Sequence, residues 1–117
     1  MEPVLTFEDF RQAHGHSLAA LGLNESAFCR SDAFYALDLA TKEGRPILGG
    51  DVYYLGSDDR VTPAYANWHT DRQKDEEPAA YANRTWQTTR EYLERFPENA
   101  GTCPIFVFVL APPVAKG

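Results

Sequence analysis

The residues best suited to chemistry are three histidines, a serine between small residues and a scatter of carboxylates. Gly15-His16-Ser17-Leu18-Ala19 approaches the G-x-S-x-G turn that exposes a nucleophilic serine. That turn must follow a buried strand of a large sheet, and only a helix-like stretch precedes Gly15, so Ser17 reads as a cap. His14, His16, His69 and Asp71 are of metal-ligating type, but the spacing lacks the i, i+4 pairing of ligands on one helix, and Cys29 and Cys103 form no CxxC pair. Gly44-Arg45-Pro46-Ile47-Leu48-Gly49-Gly50 has no Lys-Ser/Thr after it, so it is not a phosphate-cradling loop. No cofactor, metal or nucleotide site is expected. Asp51 is the most suggestive carboxylate, since it stands between Gly49-Gly50 and Tyr53-Tyr54. Two roles are open to it: fixing a Gly-Gly bend through backbone N–H groups, or accepting a partner's Arg or Lys at the surface.

The elements that must carry these residues follow from periodicity. Thr6 and Asp9 make a capping box for a short helix from Phe7 to Ala13. Asn24 reads as a cap for a turn or two of helix bearing Ala27 and Phe28. Ser31 starts a clearer helix, with Ala33, Leu37 and Ala40 as its apolar stripe and Gly44 then Pro46 as its stop. Strand chemistry follows: Ile47-Leu48, a flexible Gly49-Gly50, then Asp51 to Leu55, and a turn at Gly56-Ser57-Asp58-Asp59. From Val61 to Thr70, Ala64, Ala66 and Trp68 face one way and Tyr65, Asn67 and His69 the other, with Pro63 marking an irregular or edge start. Pro78 opens a helix whose inner face is Ala82, Trp86, Thr89, Leu93 and Phe96. Arg84, Arg90, Glu91, Glu94 and Arg95 lie on its outer side. Ile105 to Leu110 is apolar on both faces and reads as an interior strand covered on both sides. The fold class is α+β, a small mainly antiparallel sheet of about three or more strands packed with helices.

The chain of 117 residues is long enough for one domain, with a loose tail from Pro112 to Gly117. With 11 Lys+Arg against 17 Asp+Glu its net charge is −6, which disfavours a nucleic-acid ligand and favours a basic partner. Neither a signal-like N-terminus nor a membrane-length apolar run is evident, so the expected compartment is the cytoplasm, with Cys29 and Cys103 as buried free thiols. Asp58, Asp59, Asp71, Asp75, Glu76 and Glu77 form a solvated acidic rim at the ends of the hairpin strands.

Glu43-Gly44-Arg45-Pro46-Ile47-Leu48-Gly49-Gly50-Asp51-Val52-Tyr53, then Tyr65-Ala66-Asn67-Trp68-His69 and the helix around Tyr81 to Tyr92, resemble the bacterial immunity protein family 40 of polymorphic toxin systems. The resemblance covers residues 32–110, and its most specific parts are Ile47 to Tyr53 and Asn67-Trp68. It implies a small cytoplasmic protein that binds and neutralises a cognate toxin domain, with no catalytic residue of its own. Gly49, Gly50, Asp51, Tyr53, Asn67 and Trp68 match the motif, which leaves open whether they touch the toxin or hold the fold. The acidic charge favours a basic nuclease as the toxin class. Asp51, Tyr53, Tyr65, Trp68 and Asp71 are the candidate partner-binding residues, and Gly49, Gly50 and Asn67 the motif or structural ones. Two alternatives compete with this reading. One is a small hydrolase or transferase using His69, Asp71 and Asp51; the other is a small-molecule or peptide binding module.

Overall fold

A computed structural model describes residues 5–98 and 101–114. In chain order the elements are α1 (Phe7–His14), β1 (His16–Ser17), a 3-10 turn (Ala19–Leu21), β2 (Ser26–Cys29), α2 (Arg30–Lys42), β3 (Ile47–Gly56), β4 (Val61–His69), α3 (Pro78–Arg95) and β5 (Thr102–Leu110). The five strands form one antiparallel sheet in the order β1-β2-β5-β3-β4, and with the three helices they make an α+β fold.

Helix α1 begins where the capping box requires. Thr6 Oγ1 accepts the Asp9 N–H at 3.0 Å, and the Thr6 N–H returns to the Asp9 carboxylate at 3.3 Å. Its Phe7 and Phe10 are buried beside Phe28, Phe7 edge-on and Phe10 stacked, with ring centroids 5.9 and 5.7 Å apart.

The stretch after Asn24 is a strand, not a helical turn. Ala27 and Phe28 are both fully buried on opposite faces of the sheet, and Phe28 lies opposite Phe106 of β5. Burying a Phe fully stabilises by about 1.5–3 kcal/mol, more than an N-cap supplies. Because β2 runs straight on, α2 starts at Arg30 rather than at Ser31, and Cys29 occupies the cap position without a capping side chain. Its stripe of Ala33, Leu37 and Ala40 is buried as the pattern requires, and the chain turns out at Gly44 with φ 68°.

Gly49-Gly50 forms no bend. β3 continues through both glycines, and only Leu48 falls out of register with β5. Helix α3 runs from Pro78 to Arg95 and buries Ala82, Thr85, Thr89 and Leu93, while Trp86 and Arg84 are half-buried. Its last turn is closed by Arg30, whose guanidinium donates to the carbonyls of Leu93 and Phe96. The tail is anchored at its start, since the Val114 N–H bonds to the Gly44 carbonyl at 3.0 Å; residues 115–117 lie outside the described part.

All three helices pack on one face of the sheet, around Phe28, Val52, Trp68 and Phe106. The other face has a smaller cover. Leu18 and Leu23, from the segment joining β1 to β2, lie over Ala27, Ile105 and Val107. That cover ends before Val109, which is 43% exposed, so β5 is enclosed on both sides only over its middle. Both cysteines are free, Cys29 half-buried and Cys103 exposed rather than buried. No described helix is long and apolar enough to cross a membrane.

Candidate functional site

The uncovered part of the sheet's second face holds most of the residues singled out from sequence. Along β3 and β4 the alternation that turns Val52, Ala66 and Trp68 toward the helices turns Asp51, Tyr53, Asn67 and His69 to the second face, where Tyr53 is half-buried against the Leu18 cluster at the margin of its cover. Asp51 and Asn67 are direct register partners across the two strands. At that register side chains on one face stand about 5 Å apart, close enough to act on one ligand. Among the described residues the Asp51 side chain has no ion pair and no hydrogen bond. Burial first, then the carboxylates of Asp51 and Glu25, push the Tyr53 phenol above its ordinary value.

Tyr65 owes its position to an irregularity in β4. Val52 pairs with Ala66 and Tyr53 with Pro63, so Ala64 and Tyr65 have no partner opposite. Two extra residues, unlike one, preserve the alternation of faces: Ala64 still packs toward the helices, and Tyr65 stands out at 92% exposure. Its φ of 56° is left-handed, a conformation costly for a bulky residue. The bulge and Pro63 also interrupt the free edge of the sheet.

Two shallow cavities meet on this face, and Asp51 and Asn67 line both. One, of about 270 Å³, is floored by Gly49 and Gly50 and walled by Leu48, His69 and Val109. The other, of about 340 Å³, lies in the bulge, between Tyr53, Pro63 and Tyr65. Neither lining contains Lys or Arg. Leu48, Tyr65 and Val109 are also among the most exposed large apolar residues of the fold. Sequence reasoning passed over Leu48 and Val109, because both belong to runs that read as buried strand.

Trp68 must be corrected. It is 6% exposed and faces the helices, stacked on Tyr92 with centroids 4.7 Å apart, its Nε1–H donated to Thr89 Oγ1 at 3.0 Å. A partner cannot reach its ring as an anchor. Gly50 explains the geometry: a Cβ there would run into the Trp68 ring and the Val107 carbonyl. At Gly49 a Cβ would strike the Trp68 carbonyl. Neither position has room for a side chain, and the bare backbone of the two glycines lines the first cavity.

Asp71 is exposed on the loop after β4, its Oδ2 3.7 Å from His69 Nε2. That loop is held firmly. Arg84 forms a two-pronged pair with Glu76 at 2.8 and 2.9 Å and donates to the Asp71 carbonyl at 2.6 Å, while Arg72 donates to the Glu76 carbonyl. Glu76 is thus no part of a solvated rim. The Arg84 guanidinium, with the Gln73 N–H, lowers its carboxyl to about 2. Asp58, Asp59, Asp75 and Glu77 are exposed.

The His69 and Asp71 side chains are 70% and 90% exposed, without the enclosure that tunes an acid–base pair. Ser17 Oγ accepts the Ala19 N–H at 3.2 Å, but the cap position of the 3-10 turn is Leu18, not Ser17, and carries no capping side chain. No group of three or more His, Cys, Asp or Glu among the described residues is arranged to hold a metal ion.

No curated protein and no solved structure matches the chain. One family does, Immunity protein 40, over residues 17–110, a span that includes every strand of the two cavities and the Gly49-Gly50-Asp51 and Asn67-Trp68 motifs. With most of its length inside that match, the chain belongs to the Immunity protein 40 family.

Proposed function

We propose that this protein binds a cognate toxin domain through the open face of its sheet and neutralises it by occlusion, in the cytoplasm of the cell that makes both. The observation that carries the reading is the patch itself. Exposed apolar groups, Leu48, Tyr65 and Val109, surround Asp51, which has no ion pair among the described residues, and its register partner Asn67, with Asp71 on a firmly held loop beside them. Aromatic and apolar anchors inside a charged margin are what a tight protein interface needs, and a rigid patch binds with less ordering cost. Asp51, Tyr53, Tyr65, Asn67 and Asp71 are the partner-binding residues in this reading. No catalytic residue or cofactor enters it. A net charge of −6 supports a basic toxin, of which a nuclease is the best match: an acidic inhibitor gains long-range steering and occupies positions where phosphates would lie.

Affinity capture of the tagged protein from cells carrying its own locus, washed at low and then high salt, tests this. The expected result is one stoichiometric toxin domain retained at low salt and partly lost at high salt. Failure to retain an expressed neighbouring toxin overturns the reading.

A further inference from the structure

The bulge cavity has a more specific chemistry than a general docking patch, and its lining identifies what enters it. Tyr53 and Tyr65 supply aromatic rings, Asp51 a carboxylate and Asn67 a side-chain amide, in a space of about 340 Å³. One water occupies about 30 Å³ of the liquid, so a long side chain fits with water around it. Asp51 is half-buried and lacks a counter-charge, no Lys or Arg lines the cavity, and Glu25 lies near enough to act on the Tyr53 phenol. A cation is therefore wanted there, and a flat one. A guanidinium can place two N–H groups on the carboxylate, another on an amide carbonyl and its face against a tyrosine ring, whereas an ammonium is a compact, strongly hydrated point charge.

We infer that the cavity between Asp51, Tyr53, Tyr65 and Asn67 is the receptor for an arginine side chain of the toxin. The inference rests on the immunity reading and deepens it. A second copy of this chain fits the face poorly, because neither cavity of the copy brings a Lys or Arg to meet Asp51. The bulge is what opens the site: Ala64 and Tyr65 are extra residues without a partner on β3, and Tyr65 stands out beside the space lined by Asp51 and Asn67.

The test uses the whole protein, the toxin domain encoded beside it, and N-acetyl-arginine amide as a minimal probe followed by amide NMR shifts. Asp51→Asn is compared with Glu94→Gln, which changes net charge equally on the helix side. If the wild type binds the toxin, Asp51→Asn is expected to weaken it about tenfold or more, with Glu94→Gln unchanged. Equal affinity for Asp51→Asn and wild type overturns the arginine receptor and leaves the immunity reading intact. If the wild type does not bind the toxin, the immunity reading fails, and the probe decides the cavity alone. Shifts confined to β3 and β4 around Asp51, absent with N-acetyl-lysine amide and in Asp51→Asn, then support a guanidinium site while removing the toxin as its source; no shifts overturn the site as well. A thermal midpoint for each variant separates lost recognition from lost folding.

Discussion

Trp68 and Gly50 sit opposite each other across β4 and β3, and the indole of one fills the space where the other would carry a Cβ. This pairing divides the motif into two faces. Gly50 and Trp68 lock the sheet to α3, while their neighbours Asp51 and Asn67 are turned the other way, toward solvent. Replacing Gly50 with Ala should cost about 1–3 kcal/mol, because the Val107 carbonyl and the Trp68 ring it would strike are both tightly packed. Urea unfolding followed by tryptophan fluorescence measures this; a midpoint like that of the wild type would show that the ring has room to move.

The indole N–H of Trp68 and the hydroxyl of Thr89 are both buried, and they bond to each other at 3.0 Å. Thr89→Val leaves the N–H without a partner, an expected loss of about 1–3 kcal/mol. The double variant Thr89→Val with Trp68→Phe removes both ends, so its cost should fall below the sum of the single costs. Simple additivity in a double-mutant cycle would mean that the bond contributes nothing specific.

The hairpin and α3 are legible in the sequence because their signals are local. Alternation places Trp68 opposite in sense to Tyr65 and Asn67, and Pro78 with the Ala82, Thr89 and Leu93 spacing marks the helix. Which face of the strand is covered is not local information, and so Trp68 resembles an anchor until α3 is laid over it. The sequence signal for it is a glycine, Gly50, that falls opposite Trp68 when β3 and β4 are paired as a hairpin. The strand of Phe28 is illegible for a similar reason, since it is only four residues long and its partner, Phe106, is 78 positions away. Glu76 looks like any member of an acidic run; the Arg84 that fixes it comes from the first turns of the next helix. The bulge that sets Tyr65 out is hinted at only by Pro63, and how far the segment carrying Leu18 and Leu23 covers the second face is again not local information.

Acid should loosen the loop that carries Asp71. In the folded protein the carboxyl of Glu76 is lowered from 4.5 to about 2 by Arg84, so its contribution is fully present above about pH 4.5 and is lost as pH falls through about 2. Glu76→Gln removes that dependence. The variant should be less stable than the wild type near neutral pH, with the gap closing toward pH 2. Urea midpoints at several pH values test this, and a gap independent of pH would mean that the Arg84 pair is not what holds the loop.

Tyr65 offers a way to separate folding from recognition. A left-handed φ of 56° costs a tyrosine about 1 kcal/mol that glycine does not bear, and its ring is 92% exposed, so Tyr65→Gly should leave stability unchanged or raise it slightly. Toxin binding should weaken, through faster dissociation, because an anchor is gone. A variant that unfolds more readily and binds as before would make the tyrosine structural.

Charge at the margin should act on the encounter rather than on the residence time. Asp71 is the better probe, because Asp58 Oδ1 also holds the Arg60 N–H at 3.0 Å and its loss would disturb the β3–β4 turn. The side chain of Asp71 is 90% exposed and touches only His69 among the described ion pairs, so Asp71→Lys changes the field near the cavities without cutting a support of the fold. Association at low salt should slow severalfold, and the difference from wild type should shrink as salt screens both. Dissociation should change little. Stopped-flow association at two ionic strengths measures both rates, and equal association rates at low salt would remove steering from the account while leaving Asp51 and Tyr65 as the source of affinity.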